Sequence, residues 1–169
     1  MKSFSLKGNK VMDRMLEEIL EAWYTNNRIN LFLIEHISEE GMKCTLSKRG
    51  GRNVVRQFAH IHNNRVWHLE RRAPELAREL YKFETQEEPE KIQLVECLNN
   101  SADKIAQYFQ EVYNGTVARK TFKKGIIPYL GYFISHESHH RGSILLTLKE
   151  CGHPLDQATR YAIWNWDNL

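Results

Sequence analysis

The stretch Pro128-Tyr-Leu-Gly-Tyr-Phe-Ile-Ser-His-Glu-Ser-His-His-Arg-Gly-Ser-Ile-Leu-Leu-Thr-Leu-Lys-Glu150 decides how this chain reads. Its apolar residues recur at helical spacing, and Pro128 suits a first turn, where its missing N–H would have had no partner anyway. Cys151-Gly152-His153-Pro154 stops the helix. Inside it, His136 and His140 stand four residues apart, one above the other on a single face. Burying two imidazoles beside Phe133, Ile134, Ile144 and Leu145 is costly unless their nitrogens are satisfied. One metal ion satisfies both, so His136 and His140 are candidate ligands. A third ligand must come from elsewhere in the chain.

Three more helices read outward from this one. Met12 to Ile37 carries apolar residues at helical spacing, with Glu17, Glu18 and Glu21 opposite. Gly41 after it suits a turn, and Met42 to Gly51 reads as a polar loop. The next helix runs from Arg52 or Asn53 to about Arg72, with Asn53 as candidate N-cap and Pro74 ending it or opening a short helix. Another runs from about Glu90 to Tyr113 and stops at Asn114-Gly115. No strand pattern and no repeat is present. The expectation is an all-α, four-helix bundle, a single domain over residues 1–169, with the Trp164/Trp166 tail packed on it. The long connections leave room for crossovers.

Bulk composition narrows the function. With 41% hydrophobic and 27% charged residues, the 169-residue chain is expected to be a soluble globular protein. A net charge of +3 is too mild to argue for nucleic acid, and the Arg119 to Lys124 loop adds little. Lys48-Arg49-Gly50-Gly51-Arg52 reads as a solvated loop. Three scattered cysteines, Cys44, Cys97 and Cys151, argue against a disulfide framework and against a cysteine-based zinc site. Met1 to Lys10 lacks the apolar core of a secretory signal, and no membrane span is expected. A cytoplasmic protein is the expectation.

The third ligand is sought among His60, His62 and His68 on the second long helix. His60 and His62 are about 200° apart around a helix and cannot both face one ion. Periodicity slightly prefers His62, and spacing alone leaves the choice open. His139 cannot share the face of His140. Arg141 could anchor an anionic group or cap a carbonyl. His36 and His153 need no ligand role. No nucleophile elbow, phosphate loop or dinucleotide fingerprint competes, and no general base stands out; Glu137 is adjacent but on another face.

The segment Phe58-Ala59-His60-Ile61 followed by Trp67, the His136/His140 pair, and His140-Arg141-Gly142 running into Ser143 together resemble the DinB/YfiT-like superfamily. The resemblance extends from the first helix to Trp166. It implies a four-helix bundle with one metal-ligating histidine on the second helix and two on a later one, and so selects His60, His136 and His140. It implies a divalent metal, zinc or nickel, and relatives that are thiol-dependent transferases or isomerases using a low-molecular-weight thiol. Ser143 departs from the glutamine often found there. The leading expectation is a metal-dependent S-transferase or hydrolase acting on a small molecule. The alternative is a non-catalytic, stress-associated binding bundle, with a homodimer unsurprising in either case.

Overall fold

The computed structural model describes residues 4–118 and 120–169, of which residues 4–13 are described as backbone only. Arg119, in the basic loop, and the extreme N-terminus lie outside the described residues. Four long helices dominate: α1 (Phe4–His36), α3 (Val54–Arg72), α5 (Lys91–Asn114) and α6 (Ile126–Glu150). Three short ones, α2 (Glu39–Lys43), α4 (Pro74–Ala77) and α7 (Gln157–Ala162), fill the connections. No strand occurs among the described residues. None of their helices is long and apolar enough to cross a membrane.

Local chemistry explains the boundaries. The Asn53 side chain accepts from Arg56 N and caps the otherwise orphaned N–H groups of α3. Gly115 ends α5 at φ 63, a left-handed conformation that costs glycine little. Pro128 falls in the first turn of α6. Gly41 does not simply mark a turn: it lies inside α2, where a Cβ would stand 2.9 Å from Ile37 and 3.0 Å from Leu148. Only a bare Cα lets α2 approach the end of α6.

The long helices do not follow simple up-down neighbour order. Helix α1 packs mainly on α5 and α6, and α3 packs on the same two, so α1 and α3 sit diagonally. The connection between them is a crossover, which the long intervening loop permits. One core cluster gathers Leu33, Ile37, Phe58, Ile61, Leu98 and Ile144. A second gathers Trp23, Leu69, Phe109, Tyr129 and Phe133. The tail docks through Ile163, with Leu155 and Leu169 beside it. Its tryptophans remain largely exposed, Trp164 by 75%. Ile92, counted by periodicity with the core face of α5, is 80% exposed: it lies about 200° around the helix from Leu94, which is fully buried in the same turn.

Candidate metal centre

Between the two core clusters, α3 and α6 bring three histidines together. Ring centroids stand 5.4 Å apart for His60–His136, 4.8 Å for His60–His140 and 4.7 Å for His136–His140. Each offers a nitrogen, and these nitrogens all lie within 4.8 Å of one another. The rings are about half buried, with Tyr132 stacked on His136 one turn earlier (6.0 Å, interplanar angle 16°).

Electrostatics keep the rings in the form a metal needs. Burial pushes His60 and His140 down to about 4, helped by the Arg52 charge and by the neighbouring imidazoles. Burial lowers His136 too, against the opposing pull of Glu137. All three are therefore neutral donors at neutral pH. His136 Nδ1 is buried and has no hydrogen-bond partner; a Lewis acid would satisfy such a nitrogen. Three imidazoles suit a borderline divalent ion such as zinc or nickel. The residues present fit a metal ion on donor chemistry and on this orphaned nitrogen.

The other histidines have different occupations. His62 is fully buried: its Nε2 donates to the Tyr81 carbonyl (2.7 Å), and its Nδ1 lies 3.1 Å from Ser101 Oγ. Its place on the apolar face, which made it attractive by periodicity, is what sends it into the core. Burial lowers it to about 4, so it stays neutral there. His68 accepts at Nδ1 from Tyr129 (2.9 Å) and Arg72 (3.2 Å), which leaves the proton on Nε2. His36, His139 and His153 are exposed, and His139 stands 5.4 Å from His140.

Beneath the histidines runs a buried polar network that periodicity does not reveal. Glu137, fully buried, takes two hydrogen bonds from Arg65 (Nε to Oε1 2.7 Å, NH2 to Oε2 2.8 Å). Asn26 and Asn30 donate to the same carboxylate at 2.6 and 2.7 Å. These bonds, led by the Arg65 charge, outweigh burial and hold the Glu137 carboxyl below its ordinary range. Arg141 stands 3.9 Å from the Glu137 carboxylate and caps no backbone carbonyl among the described residues. It donates to the side-chain oxygens of Asn30, Asn26 and Ser138 at 2.8–2.9 Å. Glu137 is thus committed to structure and unavailable as a general base. The signal that could have exposed the network is Asn26, Asn27 and Asn30 within one turn of an otherwise apolar stretch of α1.

Two cavities flank the site. One of about 280 Å³ is lined by Ser47, Arg52, Gln57, His139, His140 and Ser143, among others. A smaller one of about 80 Å³ is lined by Arg52, Arg56, His60, Asn63, Glu84 and Glu87. A larger cleft of about 330 Å³ lies away from the histidines, around Glu79, Asn100 and Lys104, and holds no ligand set.

The architecture is an all-α bundle in which three histidines from two facing helices converge on a cluster that could hold a metal ion. The sequence profile of the DinB family matches residues 12–167, and the chain belongs to that family. No curated protein and no solved structure gives a significant match.

Proposed function

We propose that this DinB-family protein is a metal-dependent enzyme with a mononuclear site ligated by His60, His136 and His140, acting on a small molecule. The observation that carries the reading is the convergence of three neutral imidazoles beside open cavities. Zinc or nickel is the proposed ion. When bound, it would lower the pKa of a water or thiol ligand and so supply a nucleophile near neutral pH. Transfer of a low-molecular-weight thiol to an electrophile, or hydrolysis, is the proposed reaction.

The chain's own contributions are specific. Helices α3 and α6 hold the rings in place, Tyr132 packs against His136, and the Arg65–Glu137 pair locks α3 to α6 just beneath. Two of the three thiols are made poorer nucleophiles by their surroundings: burial raises Cys44 and Cys97 above the ordinary thiol range. The thiol proposed for the reaction is a cosubstrate, since no cysteine belongs to the histidine cluster or lines the two cavities beside it. The free cysteines also support a reducing, cytoplasmic setting.

The test is metal analysis of protein purified without a nickel column, followed by a thiol-transfer assay with a small electrophile. Stoichiometric zinc or nickel and metal-dependent turnover are expected. Absence of bound metal, with none taken up on dialysis, would remove the reading. A second reading, a non-catalytic interaction bundle, draws on one observation: Leu146 and Trp164 are 53% and 75% exposed and line one apolar cleft. It predicts association that persists without metal and no turnover with any thiol.

A further inference from the structure

Arg52 sits at the boundary of the two cavities and lines both. Its guanidinium lies close enough to depress all three site histidines. Its side chain makes no hydrogen bond or ion pair among the described residues; only its backbone carbonyl is engaged, by Thr45. A free planar fork of donors beside a metal site is suited to a carboxylate or a similar oxyanion.

The charge balance points the same way. All three candidate ligands are neutral imidazoles, so a divalent ion there would add two positive charges next to Arg52. Glu137, the buried carboxylate on α6, is already neutralised by Arg65. An anionic group on the incoming molecule relieves that excess.

The two cavities differ in what they accept. The smaller carries Glu84 and Glu87, which repel an anion. The larger has no carboxylate on its wall. It adds Gln57, whose buried side chain hydrogen-bonds to nothing among the described residues, and the hydroxyls of Ser47 and Ser143. Ser47 Oγ accepts from Gly51 N, which leaves its proton free to donate.

We propose that the cavity bounded by Arg52, Gln57, Ser47 and Ser143 binds an oxyanion group, such as a carboxylate, on the molecule that reaches the His60/His136/His140 site. Arg52 is then a specificity-determining residue. The proposal rests on the metal reading for the neighbouring reactive centre, but the anion site itself can be tested without metal.

The experiment compares thioglycolate, which carries a carboxylate, with mercaptoethanol, which carries none. Binding to cobalt-loaded protein is followed by the thiolate-to-cobalt absorption band, with metal content measured in every sample. Wild type is expected to bind thioglycolate about tenfold more tightly or better, a charge-assisted hydrogen-bond effect. In Arg52→Met the two thiols should come within about twofold of each other. Arg52→Lys, which keeps the charge but not the fork, should recover part of the preference. Arg52 is exposed and bonds nothing through its side chain, so both variants should fold as wild type does.

Equal affinity for the two thiols in a wild type that holds its cobalt overturns the proposal and leaves the metal reading standing. If the protein takes up no cobalt, the metal reading falls and the metal-free protein decides. Thioglycolate should then shift the Gln57 side-chain amide resonance in wild type and not in Arg52→Met; no shift in wild type overturns the anion site.

Discussion

His60 and His62 stand two residues apart on α3 and serve opposite ends: the His60 ring lies 4.8 Å from His140, while His62 Nε2 bonds the Tyr81 carbonyl at 2.7 Å. Two residues turn a helix by about 200°, so one ring must face the α6 histidines when the other faces the core. Substitutions should separate these roles. His60→Ala and His140→Ala should lose stoichiometric metal while keeping a wild-type melting temperature in the metal-free form. His62→Ala should keep its metal but lose roughly 2–4 kcal/mol of stability from the cavity and the lost hydrogen bonds. Elemental analysis beside urea denaturation reads both. Metal retained in His60→Ala together with His140→Ala would sink the ligand assignment.

The Arg65–Glu137 pair should dominate the polar contribution to stability. Glu137→Gln leaves a fully buried guanidinium without its counter-charge, a loss of about 3–5 kcal/mol. The exposed Lys82–Glu70 pair, 2.8 Å but nearly half exposed on both sides, gives the contrast: Glu70→Gln should cost under about 1 kcal/mol. Chemical denaturation of both variants reads the difference, and similar losses would contradict it.

Acid should weaken the metal-free fold in a defined window. His62 has an ordinary value of 6.5 and is lowered to about 4 in the fold. Between those values the unfolded chain binds a proton that the folded one refuses, so stability falls as pH drops from 6.5 toward 4. His60, His68 and His140 are lowered to about 4 as well, so His62→Gln should make that slope shallower by one proton's share and leave the rest. In the metal-free form, protons should begin to compete with metal uptake at His60 and His140 only as the pH falls toward about 4. Denaturation series across this range, with and without metal, test both statements.

Helix ends offer a local check. Asn53→Ala should cost about 1 kcal/mol through the lost cap on Arg56 N. Gly115→Ala meets no atom within 4 Å, yet its φ of 63 should make it destabilising by about 1 kcal/mol. Thermal melts resolve both, and a neutral Gly115→Ala would show that the turn relaxes.

Much of the architecture was legible in the chain. Periodicity found the four long helices, Asn53 and Asn114-Gly115 marked ends that the structure places within a residue or two, and the spacing of His136 and His140 put both on one face of α6. Short helices α2 and α7 escaped, because segments of five or six residues carry too little periodicity. Asn26, Asn30, Arg65 and Glu137 were illegible for a different reason. Polar residues in a helix look solvated until their partners on other helices are known, and these partners lie 72 to 111 residues away.

Local spacing, in the end, determined which side chains share a face of one helix, and so named two of the three clustered histidines by geometry alone. Spacing left open which histidine of α3 completes the cluster, where only the family resemblance chose His60; that Arg141 is tied to Asn26 and Asn30, and that the exposed Arg52 lines both cavities beside the site, were decided only by tertiary structure. The physical reason is rotational. A sequence sets the angle between residues along a helix, but not the angle at which that helix meets its neighbours. Burial of Val54, Phe58, Ile61 and Leu69 against the core set that second angle for α3. It turned His62 inward and left His60 facing α6.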